Sequence, residues 1–135
     1  MARGLADAGT MDAYLRGIEL FFERAGQAGG TVILHVEPDL WGFGHQIANG
    51  DDAARVAVAM PAATGQPSNL AGLARSIVAL RDRLAPGVLL AYSLSNWGTG
   101  HDFTYGHFTD AEVRVLAESE ATFYRSLGVS FDLVF

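Results

Sequence analysis

The chain has 135 residues, half of them apolar and 18% charged, and its 9 cationic and 15 acidic side chains leave a net charge of -6. That is the size of one domain (1–135), too apolar for a disordered chain and too acidic for a nucleic-acid binder, which would carry a basic patch. It has no cysteine, which excludes a disulfide framework, a thiolate nucleophile and Cys-ligated zinc, and no apolar run approaches the roughly 20 residues of a membrane span.

Met1 to Gly9 carries one arginine and no apolar core, so no signal peptide is visible and the compartment stays open. From Thr10 to Ala25, the residues Met11, Tyr14, Leu15, Ile18, Phe21, Phe22 and Ala25 recur at helical spacing, and Gly29-Gly30 ends the run. Thr31–Glu37 (TVILHVE) then reads as a buried parallel strand. Pro38 is expected to stop it and lift the next segment away. A long loop is expected from Leu40 to Pro67, with Arg55–Met60 either a short strand or a short helix, and with His45 and Gln46 either solvated or reaching a pocket.

The second helix runs from Asn69 to Leu84 on a stripe of Leu70, Leu73, Ile77, Leu80 and Leu84, and Pro86-Gly87 stops it. Val88–Ser95 (VLLAYSLS) is the second strand. A glycine-rich loop follows, and His107 before the next helix is read as structural. Thr109-Asp110-Ala111-Glu112 fits a capping box and opens a third helix with Gly128 at its end. Phe131–Phe135 (FDLVF) is the third strand. Helices alternating with strands imply an α/β fold with a parallel sheet. Three parallel strands with two bare edges suggest part of a larger (β/α)8 TIM-barrel-like domain, about three units of eight. The expected partners are then the missing remainder of the barrel, or self-association through the exposed strand edges.

Alternation along the first strand puts Ile33, His35 and Glu37 on one face, continued by Asp39, and Val32, Leu34 and Val36 on the other. Ionisable groups at the carboxyl end of an apolar strand are costly unless paired or used, and active sites of parallel α/β folds sit at that end. His35 and Glu37 are therefore either site residues or a buried hydrogen-bonded pair. In the second unit, Ala91, Ser93 and Ser95 share a face, followed by Asn96, Trp97, His101 and Asp102. Trp41 and Trp97 both lie just past strand ends, where an indole either stacks on a sugar ring or plugs the barrel top. No GxGxxG, HExxH, GxSxG or P-loop motif is present.

The segment HVEPDLWG (35–42) resembles the catalytic strand of (β/α)8-barrel glycoside hydrolases of the cellulase- and mannanase-like clan, in which a Glu-Pro pair closes the fourth strand and the glutamate is the acid/base. The YSLSNWGTG and LGVSFDLVF segments are similar to succeeding units of such barrels. The clan has asparagine before that glutamate, where this chain has Val36. The resemblance implies hydrolysis of a polysaccharide by two carboxylates with no cofactor. Glu37 would be the acid. His35 and Asp39 would orient it or bind sugar hydroxyls, together with Ser93, Ser95, Asn96, His101 and Asp102, and Trp41, Tyr92 and Trp97 would wall the subsites. The nucleophile would come from elsewhere, since Glu112, Glu118 and Glu120 all fall on the third helix. Two alternatives stand beside this: a metal-dependent barrel hydrolase or isomerase using His35, Glu37, Asp39, His101 and Asp102, and a non-catalytic or degenerate carbohydrate-binding barrel piece.

Overall fold

A helix starts where a side chain can satisfy its first free N–H groups. Asp7 does this for α2 (Ala8–Gln27), accepting from the Thr10 N–H at 2.7 Å. A short α1 (Ala2–Leu5) precedes it. Gly29 and Gly30, at φ +59° and +132°, turn the chain into β1 (Ile33–His35). The structure, a computed structural model, describes residues 2–48, 50–102 and 105–135.

Pro38 does not lift a loop away. It is the first residue of a ten-residue helix, α3 (Pro38–Ile47). The first helical position suits proline, because the missing N–H would be unpaired there and φ is already helical. The stretch expected to be a loop from Leu40 therefore begins as a helix that buries Leu40, Trp41, Gly44 and His45. Two 3-10 turns follow, Ala53–Arg55 and Ala62–Thr64, and Ala57 makes a single antiparallel bridge to Asn69. Arg55–Met60 is thus neither a regular strand nor a helix.

Asn69 caps α4 (Leu70–Leu84) by accepting from the Gly72 N–H at 2.8 Å, and α4 packs chiefly on α2. After β2 (Leu89–Tyr92), α5 (Asp110–Ser126) opens with the expected reciprocal box, in which Glu112 accepts from the Thr109 N–H at 2.8 Å and Thr109 accepts from the Glu112 N–H at 3.3 Å. Gly128, at φ +69°, turns the chain toward β3 (Leu133–Val134).

The fold is α/β with a three-stranded parallel sheet in the order β1-β2-β3. Ile33 pairs with Leu89, His35 with Ala91, and Ala91 with Leu133. The regular strands are shorter than the apolar runs that announce them, although sheet bonding extends beyond them, from Val36 N–H to Ala91 O (3.1 Å) and from Leu94 N–H to Phe135 O (2.8 Å). Asp132 pins the second pairing: its carboxylate accepts from the Leu90 N–H at 2.8 Å and from Arg81 of α4 at 2.6 Å.

The two sheet faces differ. Leu34, Leu90 and Tyr92 point into the core with Phe22, Leu73, Ile77, Phe123 and Phe131. The other face carries exposed Ile33, His35 and Phe135. The rings of His35 and Phe135, from the outer strands, come within 5.6 Å across the central strand, where Ala91 is fully buried.

Candidate functional site

The expected site residues fall into three places. His35 on the open sheet face, and Glu37 and Asp39 just past the carboxyl end of β1, are all exposed. The buried His35–Glu37 pair weighed from the sequence is therefore not formed. Glu37 stands between strand and helix at φ +29°, ψ +79°, in the left-handed region that a residue with a Cβ rarely adopts. Its side chain makes no hydrogen bond or ion pair with the described residues, and it does not cap α3. Its charge reaches Tyr14 of α2, whose hydroxyl is buried with no hydrogen-bond partner; burial first, and then Glu37, push the Tyr14 phenol upward. Asp39 lies in the first turn of α3, where the helix dipole favours an acid.

In the core are Trp41 and Tyr92. Because the chain turns helical at Pro38, strand alternation no longer applies, and Trp41 swings inward to 1% exposure. Its ring lies 5.2 Å from Tyr92 and 5.5 Å from Phe131, and its Nε1–H donates to Val36 O at 2.9 Å. With the ring buried and its polar edge bonded, this indole has no free surface for a sugar. Tyr92 is equally enclosed, touching Tyr124 and Phe131. Ser95 is also buried, 3.5 Å from Pro38 O, whereas Ser93 is half-buried.

The third group is the loop from Asn96 to Asp102. Asn96 donates to Asp102 at 3.0 Å, and Gln46 of α3 donates to Trp97 O at 3.0 Å. The half-buried Trp97 ring meets exposed Phe43 edge-on at 4.9 Å and lies over Gly42, where a Cβ would stand 2.7 Å from the indole. A side chain at Gly42 would push the loop off α3. His101 is exposed beside Phe108. Glu37 occupies the N-terminal flank of α3 without capping it, and Trp97 rests on the helix five residues further on, about 8 Å along the axis. α3 is thus the common support of the strand-end acids and the tryptophan loop.

Sequence reasoning missed a fourth cluster. His45 lies buried inside α3, with Asp51 Oδ1 2.9 Å from Nε2 and Glu120 Oε1 of α5 3.2 Å from Nδ1. The second contact is an ion pair lacking the angle of a hydrogen bond. Ser119 Oγ also lies 3.2 Å from Nε2, and Phe123 stacks on the ring at 4.6 Å. Burial alone would lower the His45 pKa, but the facing carboxylates of Glu120 and Asp51 outweigh it and raise it. When Nε2–H donates to Asp51, that nitrogen has no lone pair left to accept from Ser119. The sequence held one signal: Glu120 falls on the apolar stripe of Leu116, Phe123 and Leu127, and a carboxylate there demands a partner.

Among the described residues no group of three or more His, Asp or Glu could hold a metal ion, so the metal-dependent alternative lacks a ligand set. Among the described residues no helix is long and apolar enough to cross a membrane. In comparison with known proteins, no family model, curated protein or solved structure matches the chain.

Proposed function

We propose that this chain is an arc of a (β/α) barrel that hydrolyses glycosidic bonds in a polysaccharide, with Glu37 as the general acid. The barrel reading is supported by strand order. Parallel strands that are neighbours both in sequence and in space, with an apolar face left free of helices, are what a singly wound barrel presents toward its interior. A doubly wound sheet reverses its strand order and covers both faces.

The single observation that carries the catalytic reading is the placement of Glu37. It is an exposed carboxylate with no partner among the described residues, held at positive φ on the carboxyl end of β1. Backbone strain of this kind costs about 1–3 kcal/mol and clusters at functional sites. Exposed His35 precedes it by two residues at the end of β1, and Trp97 with Phe43 supplies an aromatic rim on the helix that follows it, for a sugar ring.

The test is turnover of β-linked polysaccharides by the full-length protein, compared with Glu37→Gln and Asp39→Asn. Glu37→Gln is expected to lose about 10²–10⁴-fold in kcat, the usual contribution of general acid catalysis, while Asp39→Asn keeps most of it. Full activity in Glu37→Gln removes the acid role. Sugar binding without turnover in the native protein favours the non-catalytic carbohydrate-binding alternative.

A further inference from the structure

His45 is where four segments of the chain converge. α3 supplies the ring, whose side chain is 2% exposed. The turn after α3 supplies Asp51, held at φ +56°, a left-handed conformation that aspartate tolerates. α5 supplies Ser119, Glu120 and Phe123. The loop from Asn96 to Asp102 closes the remaining side through Gly98, packed so tightly that a Cβ there would stand 2.8 Å from Glu120 Oε1 and 3.2 Å from His45 Nδ1.

The ring thus faces a carboxylate at each nitrogen. A neutral imidazole has one N–H and would turn a lone pair on one of them, whereas the imidazolium presents an N–H and a positive charge to both, hydrogen-bonded to Asp51 and ion-paired with Glu120. The titratable groups facing the ring are Asp51 and Glu120; the loop contributes uncharged Gly98, and from β2 Tyr92 approaches Glu120, its phenol kept neutral by burial and by that carboxylate. When the ring loses its proton, Glu120, 6% exposed, keeps its charge with no cation beside it. An uncompensated buried carboxylate must be hydrated or protonated. Water already has room beside Gly98, in a half-open cleft of about 200 Å³ lined by His45, Asp51, Gly98, Thr99, Gly100 and Ser119. Lifting Gly98 admits it to Oε1.

We propose that His45 is a proton-operated latch: protonated, it holds the Asn96–Asp102 loop down on α3 and α5, and deprotonated, it lets that loop lift. The latch does not depend on the carbohydrate reading, although the loop it governs carries Asn96, Trp97, His101 and Asp102. Its sign follows from the raised ring pKa. It is at full strength below the ordinary histidine value, about 6.5, and is lost as the pH rises through the higher value of the closed state.

The test is hydrogen exchange of the intact protein across this pH range, corrected for intrinsic rates, beside an NMR titration of the His45 ring. Protection of the 96–102 amides is expected to fall about tenfold for each unit by which the closed-state pKa exceeds that of the open state, with the ring's own midpoint, while α2 and α4 are unmoved. Asp51→Asn, at a partly exposed position where folding is not at stake, is expected to lower the ring midpoint and the loop midpoint together. Glu120→Gln is expected to do the same if it folds. Loop protection that stays flat through the His45 titration, or a loop midpoint that stays put while Asp51→Asn moves the ring, overturns the proposal.

Discussion

The placement of Trp41 separates a structural indole from a sugar platform, and truncation tells them apart. Its ring packs on Tyr92 and Phe131 at 5.2 and 5.5 Å and is 1% exposed, so Trp41→Ala removes a fully buried aromatic. Such truncations cost about 3–5 kcal/mol. Trp41→Phe keeps most of the apolar contact but deletes the N–H that reaches Val36 O at 2.9 Å, leaving that carbonyl unpaired at a cost of about 1–3 kcal/mol. The assay is urea unfolding followed by far-UV circular dichroism, which does not rely on the removed fluorophore. With a slope near 2 kcal/mol/M, Trp41→Ala should lower the midpoint by about 2 M and Trp41→Phe by about 1 M. A loss under about 1 kcal/mol for Trp41→Ala would show that the indole is not enclosed, and would restore it as a candidate subsite wall.

Thr109→Ala breaks the capping box of α5 and should cost about 1 kcal/mol in thermal or urea unfolding, whereas substitution at exposed Glu118 should be near neutral. A Cβ on Gly72 would run into the Pro67 carbonyl oxygen, so Gly72→Ala should cost about 3 kcal/mol, while Gly87→Ala, with open space around it, should stay within about 0.5 kcal/mol. The Leu90 N–H, and Arg81 with it, hold the Asp132 carboxyl below its usual range despite some desolvation. A depressed folded pKa means that this stabilisation is present above the ordinary carboxylate value, about 3.9, and is lost as the pH falls through the lower one; acid unfolding should therefore come at the same pH in Asp132→Asn only if the Asp132 carboxylate contributes nothing.

Local signals were legible where one residue type has one structural use. Asn69 and the Thr109/Glu112 box mark helix starts because their side chains answer free backbone donors, and the helices begin there. The parallel alternation of helices and strands was equally visible. Pro38 was ambiguous in principle: a missing N–H ends a strand and opens a helix equally well. Gly42 and Gly44, poor helix formers, concealed the second outcome; the structure tolerates them because Ser95, Trp97 and Leu70 press against that face of α3. The misplacement of Trp41 follows from the same point, since strand alternation was carried past the residue where the helix begins. His45 and Glu120 come from distant parts of the chain, so only tertiary packing brings them together.

The central claim is that Glu37 is kept in an unfavourable backbone conformation for its chemistry and not for the fold. The unfolding free energy of Glu37→Gly tests this most directly. Glycine accepts φ +29° freely, and the lost carboxylate has no partner among the described residues, so the variant should be at least as stable as the native protein, by up to about 1 kcal/mol. A clear loss of stability on Glu37→Gly would make this carboxylate part of the scaffold and contradict its assignment as an acid held ready for substrate.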